Sequence, residues 1–95
     1  MNNTGIGKRI QAMRIERDLT MDMLVTDMNE KFHPDKPFSK SMISRWETGK
    51  TEPTLENAKY LSMYFDVSVD YLIGLTYTKT PSRLLAMRKD AKGES

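Results

Sequence analysis

Cysteine is absent from the 95-residue chain, and with it any disulfide framework or cysteine zinc site. Histidine occurs once, at His33, with no second histidine or carboxylate pair at ligand spacing, so it reads as a loop residue and no metal site is expected. No apolar run approaches the roughly 20 residues that cross a bilayer, and the polar start at Met1 lacks the apolar core of a signal peptide. A cytoplasmic chain without membrane contact is expected. There is no glycine-rich phosphate loop and no convergent acid pair, so the expectation is of no enzyme and no cofactor. Strand alternation, internal repeats and low-complexity runs are missing as well.

What remains is a chain of helical periods. Hydrophobic residues make up 38% and charged residues 29%, as in a soluble globular domain of single-core size. From Thr4 to Arg17, Ile6, Ile10 and Met13 recur at spacings of four and three, the stripe of a first helix. Thr20 offers an N-cap for a second helix over 21–32 that buries Leu24, Val25 and Met28. Two prolines between His33 and Pro37 mark a loop, because each disfavours helical geometry in the residue before it.

Ser39 then caps a short third helix with Met42, Ile43 and Trp46 inward, stopped at Gly49. Trp46 reads as core. A fourth helix starts at Pro53 and Thr54, with Leu55, Ala58, Leu61 and Phe65 at helical spacing. Ser68 caps a fifth, with Val69, Leu72 and Ile73 apolar and Gly74 closing it. Leu84, Leu85 and Met87 suggest a short sixth helix over 82–89. Most of the eight methionines read as fillers of core gaps, with Met21 and Met23 as candidates for exposure.

The net charge is only +2, compatible with nucleic acid without arguing for it. Its distribution says more: between positions 36 and 50 stand Lys36, Lys40, Arg45 and Lys50 against a single acid, Glu47. Within that segment Trp46-Glu-Thr-Gly-Lys50 is followed by Pro53, and Val67-Ser-Val-Asp-Tyr-Leu-Ile-Gly74 forms a closing unit. Over about Ile6 to Ile73 the chain resembles the phage repressor and Cro-like (XRE-type) family of helix-turn-helix regulators. The resemblance implies an all-α, five-helix lambda-repressor-like domain over 1–74, with 75–95 a tail, linker or dimerisation segment. It implies binding to double-stranded DNA as a transcriptional regulator, a repressor in the first instance, and an Arg14–Glu47 ion pair that ties the motif together.

A helix in the major groove needs polar side chains outward near its N-terminus and apolar ones behind. Lys40, Ser41, Ser44 and Arg45 meet that demand and are the expected base contacts, Arg45 as a bidentate partner of guanine. Helix N-termini and the loop after the third helix suit phosphate oxygens. Thr20, Ser39, Thr48 and Lys50 are the expected backbone contacts, positions the resemblance also supports.

One departure from the family stands between the second and third helices, where members have a three- or four-residue turn with a glycine. Here residues 29–38 add roughly two helical turns' worth of chain and no glycine. They are either a tolerated surface insertion or a means of bringing Lys31 and Lys36 to the DNA backbone, provided that Phe38 anchors the return. The resemblance further implies a homodimer on a palindromic operator, joined through the fifth helix and tail by Tyr71, Tyr77, Leu84, Leu85 and Met87. The competing reading is a protein-interaction module, such as an antitoxin of a toxin–antitoxin pair, using the insertion or the tail.

Overall fold

In a computed structural model, which describes residues 5–75, the described residues form five helices joined by loops: α1 (Gly5–Glu16), α2 (Met21–Phe32), α3 (Lys40–Thr48), α4 (Leu55–Phe65) and α5 (Val69–Leu72). No strand occurs among the described residues. The segment 82–89 expected as a sixth helix, and the expected dimer contacts Tyr77, Leu84, Leu85 and Met87, lie outside them.

The four helices after α1 start in the same way. Thr20, Ser39, Thr54 and Ser68 sit in extended backbone, and each hydroxyl oxygen accepts the amide three residues on, from Met23, Met42, Asn57 and Tyr71. Each cap satisfies one of the amides that a helix start leaves without a partner. Ends are made by left-handed residues: His33 after α2, Gly49 after α3 and Asp66 after α4. At Gly49 the amide bonds to the Trp46 carbonyl and the Lys50 amide to the Arg45 carbonyl at 2.9 Å, the paired closure that a left-handed glycine permits.

One core joins the helices. Ile10 and Met13 of α1, Leu24 and Met28 of α2, Ile43 and Trp46 of α3, Ala58, Leu61 and Phe65 of α4, and Leu72 of α5 are buried together with Phe38 and Val67. Met21 packs against this core, whereas Met23 is exposed. Leu55 departs from the helical stripe expected of α4 and is 69% exposed. It occupies the first turn, where the helix has not yet reached the core. Ile73, just past α5, is likewise exposed.

α1 and α3 approach each other closely at Gly7. A Cβ on Gly7 would overlap the backbone carbonyl oxygen of Trp46 and crowd that of Glu47. The helices meet backbone to side-chain-free backbone, and glycine is the residue that allows it.

The extra chain between α2 and α3 is built into the fold. Asn29 spans it with two hydrogen bonds to one residue: its Nδ2 donates to the Phe38 carbonyl at 3.1 Å and its Oδ1 accepts the Phe38 amide at 2.8 Å. The Phe38 ring is buried edge-on to Trp46 and Tyr60, with centroids 6.2 and 5.8 Å away, and Phe32 packs on Tyr60 at 5.0 Å. A polar clamp and an aromatic cluster together return the chain to the start of α3.

Candidate nucleic-acid interface

The third helix divides cleanly. Ile43, Trp46 and Glu47 are buried, Met42 is half-buried, and Lys40, Ser41, Arg45 and Thr48 are exposed. Ser44 is half-buried at the margin of the outward face. With about 3.6 residues per turn, Ser41, Ser44, Arg45 and Thr48 share one side of the helix, and Lys40 flanks it at the N-terminal end.

Glu47 determines the electrostatics of this surface. Its carboxylate is turned inward, where Arg14 Nε donates to one oxygen at 2.7 Å and Arg14 Nη2 to the other at 3.0 Å. The third donor of the same guanidinium, Nη1, reaches the Leu19 carbonyl at 2.8 Å. Hydrogen bonding to Glu47 holds the Arg14 guanidinium above its ordinary pKa against the lowering effect of burial. The one acid of the 36–50 segment is thus buried and neutralised, while Lys36, Lys40, Arg45 and Lys50 are all exposed. The segment presents cations without a competing anion of its own.

The residues expected at the phosphate backbone differ in what they have to offer. Thr20 and Ser39 use their hydroxyl oxygens to accept cap amides at 3.0 and 3.2 Å, which leaves each hydroxyl proton to donate outward. The Thr48 hydroxyl already donates to the Ser44 carbonyl at 2.9 Å, so a phosphate bond from it requires that intrahelical bond to be exchanged. Lys50 is exposed, and its amide is fixed to the end of α3.

Several supporting contacts have no signal in local sequence pattern. Gly7 and the Asn29 clamp are two. Arg17 is a third: its Nη2 donates to the Phe65 carbonyl at 3.0 Å and its guanidinium lies 5.0 Å from that ring's centre, which ties the turn after α1 to the end of α4.

Among the described residues, no group of three acids or histidines is placed to hold a metal ion, and no helix is long and apolar enough to cross a membrane.

Comparison with known proteins agrees with this arrangement. A family model described as helix-turn-helix matches residues 38–72, beginning at the residue where the added segment ends. The HTH-type transcriptional activator BcrR of Enterococcus faecalis is 29% identical over 80 residues, covering 80% of this chain and 35% of BcrR. An uncharacterized HTH-type transcriptional regulator of Bacillus subtilis (strain 168), YobD, is 30% identical over 74 residues, covering 78% of this chain and 59% of YobD. The chain therefore spans about a third of one relative and about three fifths of the other. No solved structure gives a significant match. The capped α2 and α3, the inward Trp46 and paired Glu47, the matched segment and these relatives agree on one point: residues 38–72 match a helix-turn-helix family, and the chain is similar to HTH-type transcriptional regulators.

Proposed function

We propose that this chain binds double-stranded DNA in a sequence-specific manner and thereby regulates transcription, with α3 seated in the major groove. The observation that carries the reading is the inward, ion-paired Glu47, which leaves the outward side of α3 and its flanks to Lys40, Ser41, Ser44, Arg45 and Lys50. Lys40, Ser41, Ser44 and Arg45 read base edges. Thr20, Ser39, Thr48 and Lys50 hold phosphates on either side, the two cap hydroxyls beside helix N-termini that favour anions. The role is non-catalytic and cytoplasmic.

Repression is the simplest consequence of occupying a promoter; the relative BcrR is named an activator, so the sign of regulation belongs to the promoter assay. Residues 1–74 form the DNA-binding unit and 75–95 serve dimerisation or linkage. A homodimer on a palindromic operator then places two recognition helices roughly 34 Å apart.

Selection of duplexes from a random pool tests the reading. Enrichment of a palindrome with half-sites about one helical turn apart, and binding that weakens steeply with salt, is the expected result. A chain that enriches no sequence and instead captures a protein partner would turn the assignment to the antitoxin-type module.

A further inference from the structure

We infer that the segment between α2 and α3 is part of the DNA-binding surface, with Lys36 as an additional phosphate contact. The inference rests on the DNA-binding reading above. Three observations carry it. The segment is held in one place from both ends, by the Asn29 clamp on Phe38 and by the Phe32–Tyr60–Phe38 cluster. A lysine on such a support gives up less freedom on contact than one on a loose loop.

Lys36 also stands where it is needed. It is exposed, lies three residues before the Ser39 cap, and lines one cleft with Met42 of α3 and Thr54 at the start of α4. This places it beside the recognition helix, along the side that faces the α3–α4 connection. Asp35 and Glu56 line the same cleft, yet Lys36 makes no ion pair with either among the described residues.

The third observation separates Lys36 from the other cation of the segment. The Lys31 ammonium lies 6.0 Å from the ring centres of both Phe32 and Tyr64. It is turned toward α4, while Lys36 is not so engaged. The added segment thus places one cation on the flank of α3 next to the start of α4 and uses the other against its own aromatic support.

Counterion release makes this measurable. Each phosphate neutralised on a duplex contributes about 0.9 to the slope of log affinity against log salt. The full chain with Lys36→Gln should lose about that much slope, equally on a selected operator and on random duplex, and Lys36→Arg should restore it. Lys31→Gln should leave the slope as it is. An unchanged slope for Lys36→Gln in a chain that still binds DNA overturns this inference alone. A loss confined to the operator makes Lys36 a base contact and overturns it too. A parent chain that binds no duplex overturns the DNA-binding reading itself, and this inference with it.

Discussion

Arg14 grips the Glu47 carboxylate with two hydrogen bonds of 2.7 and 3.0 Å, and the Glu47 side chain is 1% exposed. The pair joins α1 to α3 about two turns along α1 from Gly7, where the two backbones meet. Removing the arginine strands a buried carboxylate, and losing one partner of such a pair costs about 3–5 kcal/mol. Arg14→Ala is expected to lower stability by that order in urea unfolding. Arg14→Ala combined with Glu47→Gln should recover part of the loss, because the amide carries no charge to leave uncompensated.

Two glycines of one helix should respond differently to one substitution. Gly7→Ala drives a methyl group into the Trp46 carbonyl, whose backbone belongs to α3 and has nowhere to yield; about 1–3 kcal/mol of destabilisation is expected. At Gly5 the nearest obstacle is the tip of the flexible Arg9 side chain, so Gly5→Ala should be close to neutral. Thermal unfolding of both variants decides it, and equal losses would remove the close helix approach from the account.

The alkaline limb of stability should carry a signature of Tyr64. Burial, with help from a 2.8 Å hydrogen bond to Asp27, pushes this phenol up to about 12 from an ordinary value of 10. A folded-state value above the unfolded one means that the folded chain holds the proton longer. Its contribution is therefore full below pH 10 and is lost as the pH rises from about 10 to about 12. Tyr64→Phe should flatten the fall of the urea midpoint in that window and leave its shape near neutrality unchanged.

Arg45 provides the test of base reading. It is exposed on the outward side of α3, and a bidentate contact to guanine is worth roughly 1–3 kcal/mol of discrimination. Arg45→Ala should weaken binding to a selected operator by about ten-fold or more, with a much smaller effect on random duplex. Equal losses on the two would assign Arg45 to phosphate instead.

Much of the fold was legible because its signals are local. Thr20, Ser39, Thr54 and Ser68 stand where a hydroxyl meets the amide three residues on, and Gly49 stands where the chain must turn left-handed. The stripe of Met42, Ile43 and Trp46 separates inside from outside on α3 without reference to any other helix. Leu55 was misleading for a related reason: helical spacing states which residues share a side, not how far along the helix the core extends.

Sequence by itself determined the number of helices among residues 5–75, where they start and stop, and which residues of the third helix face outward. These follow from hydrogen-bond capping, backbone conformation and periodicity, which act over a few residues. Tertiary structure alone decided that Gly7 is the crossing point of α1 and α3, that Asn29 holds Phe38 across the proline loop, and that Lys31 and Lys36 go separate ways. Those outcomes depend on which backbones and side chains meet from distant parts of the chain, and no local pattern encodes such a meeting.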